Sequence, residues 1–474
     1  MGRTLLHVSS VVVVVTLVVL GSILYPPLVP LSAGLVFAGV WMSRLDDWWQ
    51  RSYAAVLVCM IAGTSNVGAI AVVGGYAKIA ALALWVVASV LSTARQTAKV
   101  QGGWHRFALA VLWATFVAAS LSLLWTDYLA DSALQVGIYG AFVLAVHRTT
   151  TRRWTTSDRI HRDLSVAFGV LLVASSISLV MSVAGIAVSV SEKTGRYQGL
   201  FNNPNLLAMT AALCVALGVA WGVRTRRISW LILSVIPLSM VVLSGSRTSL
   251  LALAAALLIA LLRTRGAAII AVCVIAVVAS LVFLLVRPDL TSGPLERLFE
   301  SDGDATLSGR TAAWAEVLDR LSTDGLGVGW AATQEALAYY GKLGMGSGLT
   351  SVHNAYLQVI YELGWIGVPI ALAMVVLFFG LVFAVPRQGV RSAAVVVVVT
   401  GALIHLAESP VFGVGQVYPY VFWLAVFAAC CNVEHGTPVA AGPPHRPIPG
   451  TVTKAMAGRG HRGSDTALCR PQAT

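Results

Sequence analysis

The feature that most constrains this chain is its series of long apolar runs. "VVVVVTLVVLGSIL" near the start is followed by a dozen similar stretches, and about 20 residues of helix suffice to cross a bilayer. Lipid offers no partner for backbone N–H and C=O groups, so such runs fold as helices that satisfy themselves. Only 11% of the 474 residues are charged and 57% are hydrophobic, whereas a soluble domain carries roughly 25% charged residues. The fold class that follows is an all-α polytopic membrane protein with about 12–14 transmembrane helices.

Spans are placed near 8–25, 28–43, 53–73, 78–94, 107–125, 130–147, 164–190, 204–222, 229–244, 248–262, 267–286, 364–386, 392–408 and 417–433. The first lacks a small-residue cleavage site after it and is read as a retained span. With the connections alternated, 23 of the 32 Lys and Arg fall on one side and 9 on the other, while the acids divide 6 and 14. Positive loops stay in the cytoplasm. Both termini are therefore expected inside a cytoplasmic (inner) membrane, and the long loop 287–352 outside it. This placement also reads the net charge of +12 as topology and not as a nucleic-acid surface. Three parts follow: N-terminal spans 1–190, a core 191–433, and a basic, Pro- and Gly-rich tail 434–474 expected to be disordered beside the inner leaflet. Cys59, Cys214, Cys273, Cys430 and Cys431 fall in spans and Cys469 in the tail, so no disulfide is expected. No metal-ligand spacing is present, and neither a metal nor a cofactor is anticipated.

Polar signals collect on the predicted outer face. "GRYQGLFNNPNLLAM", 195–209, reads as a turn opening a helix. "LSGSRTSL", 243–250, puts Arg247 at an outer span end, against the positive-inside trend, and so asks for an anionic partner. "SGRTAAWAEVLDRLSTDGLGVGW", 308–330, contains an amphipathic helix capped by Ser308. Arg310, Ala313, Trp314, Val317, Leu318 and Leu321 share its apolar face, and a flexible glycine turn follows. "SVHNAYLQVIYELGWIG", 351–367, sets His353 at the mouth of a span and aligns Asn354, Gln358 and Glu362 on one stripe. His405 and Glu408, three residues apart, are expected to satisfy each other. Arginine's planar fork suits phosphate oxygens, and a neutral imidazole takes a proton from a hydroxyl. Together they suit glycosyl transfer from a lipid-pyrophosphate sugar.

"GLFNNPNLLA", "SGSRTSL", "GRTAAW" with "GLGVGW", and "HNAYLQVIYELGWIG" resemble, in this order, the signature blocks of the O-antigen ligase and O-antigen polymerase superfamily. The resemblance covers roughly 195–410. It implies a metal-independent membrane glycosyltransferase that uses undecaprenyl-pyrophosphate-linked oligosaccharide for surface polysaccharide. It assigns catalysis to Arg247, Arg310 and His353, with Arg196 as a further contributor; Arg196, Asn205, Asn354 and Trp314 are expected to contact substrate. The implied partners are a lipid-linked oligosaccharide donor, a glycan acceptor, membrane lipids and polysaccharide-assembly proteins. Arginine outnumbers lysine 27 to 5, the mark of a high-GC genome, which favours a polymerase over a ligase. The alternative is a transporter or flippase of lipid-linked glycans. Such proteins bind substrate at ionisable groups near the midplane, and the spans as drawn contain almost none.

Overall fold

The computed structural model describes residues 45, 47–91, 102–192, 195–264, 310–323, 325–342, 352–385 and 394–434. The predicted spans 8–25, 28–43 and 267–286, the loop up to 309 with Ser308, the tail from 435, and Cys273 and Cys469 lie outside these residues.

The described chain is helical. In order it runs α1 Trp48–Gly63, α2 Gly68–Leu91, α3 Gly103–Ser122, α4 Leu129–Arg148, α5 Ser157–Val183, α6 Pro204–Thr225, α7 Ile228–Leu233, α8 Val235–Leu243 and α9 Arg247–Thr264. Then come α10 Arg310–Thr323, α11 Thr333–Lys342, α12 Ala355–Leu363, α13 Gly367–Ala384, α14 Ala394–His405 and α15 Val417–Glu434. Among the described residues, six continuous helical stretches, α2, α3, α4, α5, α6 and α12 with α13, are long and apolar enough to cross a membrane. The protein is thus an all-α polytopic membrane protein. α6 and α15 are apolar all round and buried along nearly their whole length, the signature of helices wrapped by others. α2 instead exposes Val72, Val73, Tyr76, Ile79, Leu84 and Leu91, an apolar surface that only lipid would cover comfortably.

One pair of spans is drawn differently by the structure. The sequence breaks the chain between 73 and 78, at a Gly-Gly pair, and so sets Lys78 at a span's edge. In the structure the break is at 64–67, and the glycines serve packing. A Cβ on Gly74 would lie 2.3 Å from Gly63 N, so bare backbone on both helices lets α1 and α2 touch, as small residues do in membrane bundles. Lys78 therefore sits ten residues inside α2, about 15 Å from its start.

The helix ends sort into two groups. At the end carrying the basic connections, Arg153 is buried and donates to Asp163 from Nε at 2.7 Å and Nη2 at 2.7 Å, and to Asp47 at 2.8 Å. Gln50 and the Trp154 indole also donate to Asp163, and the guanidinium lies 4.3 Å from the Trp49 ring centroid. A π-turn, Thr149–Arg153, aims Arg153 inward. This network clamps α1, α4 and α5. Asp47 also caps α1, accepting from the Gln50 N–H. Partial burial works against its ionisation, but the Arg153 hydrogen bond, the Gln50 N–H and the charges of Arg153 and Arg159 outweigh it and hold the carboxyl below its ordinary value.

At the opposite end the turn 64–67 is stitched to the segment 186–203. Asn202 N–H donates to Thr64 O at 2.8 Å, and Asn66 Nδ2 donates to Gly199 O at 2.6 Å. The Tyr197 hydroxyl donates to Ser178 O, and burial pushes its pKa up. The segments carrying Arg196, Asn205, Arg247, His353 and Glu408 meet here.

Candidate functional site

The start of α6 is built by "NNPN". Asn203 caps it, accepting from Asn205 N–H at 2.8 Å, and Pro204 occupies the first helical position, where its missing N–H costs nothing. This fixes Asn205 on the first turn. Arg196 donates from Nη2 to Asn205 Oδ1 at 2.7 Å and from Nε to Ser244 O at 2.8 Å. One guanidinium thus ties α6 to the turn Ser244-Gly245-Ser246. That turn needs Gly245 at φ +61° and delivers Arg247 to the first residue of α9, exposed. A helix N-terminus already favours anions.

Asn205 passes the connection on. Its Nδ2 donates to Glu408 Oε1 at 2.9 Å, and Glu408 Oε2 lies 3.3 Å from His353 Nδ1. Arginine can only donate, which orients the Asn205 amide with Oδ1 toward Arg196 and Nδ2 toward Glu408; a carboxylate there can accept in turn from a His353 Nδ1–H. Glu408 is buried and His353 half-exposed. His353 has φ +51°, a left-handed conformation that a non-glycine residue adopts at a cost and that clusters at functional sites. Asn354 follows as the cap of α12, accepting from the Tyr356 and Leu357 N–H groups and donating to Leu406 O at 3.0 Å. It couples the His353 turn to the segment that carries Glu408.

The loop supports His353 from the other side. Trp314 Nε1 donates to Val352 O at 3.0 Å, so α10 grips the residue just before the histidine. Val317, Val328, Ala332, Ala336, Val352 and Tyr361 form a small core beneath the loop. Ala313 and Val317 are its buried stripe, but Leu318, predicted on the same face, is 60% exposed. The glycine segment 325–330 is a fixed strap and not a flexible turn. Val328 N–H donates to Tyr361 O, Gly329 N–H to Glu362 O and Trp365 N–H to Gly325 O, all within 3.0 Å. Positive φ at Gly325, Gly327 and Gly329 permits this close approach.

Of the seven residues singled out by sequence, Arg196, Asn205, His353 and Asn354 are joined directly or through one intermediary. Arg247 is joined through the Ser244 turn, and Trp314 through Val352. Arg310 opens α10; its side chain is outside the described residues. The hub, Glu408, was paired by sequence with His405. In the structure α14 ends at His405, so three-residue spacing no longer means one face. The His405 ring is buried among Phe378, Tyr418 and Phe422 with neither nitrogen hydrogen-bonded.

A family model described as O-antigen ligase matches residues 232–372, which hold Arg247, Arg310 and His353 but neither Arg196 and Asn205 before them nor Glu408 after. No curated protein matches the chain. Residues 232–372 are thus similar to the O-antigen ligase family, over somewhat less than a third of the chain.

Proposed function

We propose that this protein transfers undecaprenyl-pyrophosphate-linked oligosaccharide on the outer face of the cytoplasmic membrane, extending a glycan as a polymerase. The observation that carries the reading is the hydrogen-bonded chain Arg196–Asn205–Glu408–His353. A carboxylate on Nδ1 stabilises the imidazolium that forms when the ring takes a proton, and it assigns proton exchange with substrate to Nε2. In this mechanism Nε2 accepts the proton of an acceptor hydroxyl as its oxygen attacks the anomeric carbon. The bond from that carbon to the pyrophosphate oxygen breaks, and the lipid pyrophosphate leaves with the electron pair. Arg247 and Arg310 offset the charge that develops on it. Trp314 and Asn354 hold the histidine turn in place, while Arg196 and Asn205 hold Glu408. The chemistry asks for guanidinium, imidazole and carboxylate groups alone.

The test is a gel of labelled lipid-linked oligosaccharide incubated with purified protein, with and without added acceptor. A ladder of lengthening products means polymerase. A single product that needs the acceptor means ligase. No transfer from the native donor in either reaction would sink the proposal. One observation favours the rival transport reading: Lys78 puts a cation inside α2, where transporters place substrate-binding charge. Movement of the intact donor across a vesicle bilayer, without glycosidic transfer, would establish it instead.

A further inference from the structure

Beside the histidine lies a cavity of about 390 Å³, inside the range of about 300–1,000 Å³ typical of ligand sites. It touches the site at Ala355, two residues after His353, and at Ser409, next to Glu408. Its floor is Trp330 and Phe412, with ring centroids 5.7 Å apart. Its walls bring Lys78, Gln135, Gln334 and Gln416 together from α2, α4, α11 and the turn before α15. None of these four side chains has a hydrogen bond or ion pair among the described residues, and Gln416 Oε1 is buried without a partner. Ser409 Oγ is another buried oxygen lacking one. Lys78 reaches the backbone of the 413–415 turn, where a Cβ on Gly415 would lie 3.6 Å from its Nζ.

Buried polar groups are nearly always paired, and an uncompensated lysine inside a membrane helix is costly. Two partnerless buried oxygens, on Gln416 and Ser409, and a lysine within a helix, all on one concave wall, point to an occupant that supplies partners. An isoprenoid chain would leave every one of them unsatisfied. A pyrophosphate would face Glu362, which lines the same cavity and is already held by Thr333 Oγ1 at 2.7 Å and Gln358 Nε2 at 2.8 Å. One cation and one anion leave the wall near neutral, and amides offer donors and acceptors side by side. With an aromatic floor, this is chemistry for a neutral, hydroxyl-rich ring.

We propose that the cavity is a subsite for a neutral pyranose unit of the acceptor glycan, gripped by Lys78, Gln135, Gln334 and Gln416 so that its chain end meets His353. The assignment to the acceptor rests on the transferase reading; the capacity to bind a sugar does not. The probe is the free oligosaccharide released by mild acid from the native lipid-linked repeat, titrated calorimetrically into full-length protein in nanodiscs. Lys78→Met and Gln416→Leu should each weaken binding about tenfold, the scale of one lost polar contact. Gly413→Leu should abolish it by filling the cavity. A Cβ there meets nothing nearer than 3.6 Å, so the backbone has no reason to shift.

Absence of binding by the wild type, or equal binding by wild type and all three cavity variants, overturns the proposal. A wild type that binds the oligosaccharide through these residues yet transfers nothing would sink the transferase reading and leave the sugar subsite standing.

Discussion

Glu408 holds His353 through one carboxylate oxygen and Asn205 through the other, at 3.3 and 2.9 Å. The carboxylate stands outside the segment matched by the family model, so the domain's histidine is oriented by residues on both sides of it. If orientation of the imidazole is its task, Glu408→Gln should lower the transfer rate by about 10²-fold or more. Donor KM should stay within about twofold. Steady-state kinetics on protein of unchanged elution profile would check this, and a kcat near wild type would remove Glu408 from the mechanism.

Arg196 uses two different nitrogens on two different elements, Ser244 O and Asn205 Oδ1. A lysine offers a single point of attachment and cannot span both. Arg196→Lys should therefore lose most transfer although the charge is kept, and Arg310→Lys should be damaging for the same lack of a fork. Wild-type rates in both variants would show that charge alone suffices.

The glycine strap leaves no room for a side chain. Gly327 has φ +74°, and a Cβ there would lie 2.5 Å from Gly364 N and 2.7 Å from Glu362 O. Gly327→Ala should destabilise the loop by about 1–3 kcal/mol, read as faster limited proteolysis between α10 and α12. Unchanged cleavage would mean that the strap is not a structural tie.

At the far end, removing Arg153 would leave Asp163 buried without its cation. Arg153→Ala should cost about 3–5 kcal/mol, seen as a lower Tm in detergent while saccharide binding by the folded fraction persists. Asp47 supplies a pH signature. Because its pKa is lowered on folding, its contribution is complete above the unfolded value of about 4 and fades as pH falls through the folded value. Asp47→Asn should flatten the acid limb of the Tm–pH curve below about pH 4 and lower Tm at neutral pH. An unaltered acid limb would contradict this.

Much of this was legible in the chain. Apolar run length marked most of the described helices, and the blocks around Asn205, Arg247 and His353 marked the end at which they gather. Two things escaped. Read from the sequence, one span ends at 73 and the next begins at 78, whereas in the structure the helix runs on and Gly74 marks a close crossing. Lys78 was thereby moved to the edge of a span. Glu408 was assigned to His405 because spacing implies a shared face only within a helix, and α14 stops between them. Its true partners, Asn205 and His353, are remote in sequence, a relationship that no local pattern encodes.

The most direct test of the central claim is a single-turnover transfer rate, with pre-bound labelled lipid-linked donor, for wild type and His353→Gln. The account predicts that His353→Gln binds donor normally and transfers at least about 100-fold more slowly. Transfer by His353→Gln at the wild-type rate would contradict it.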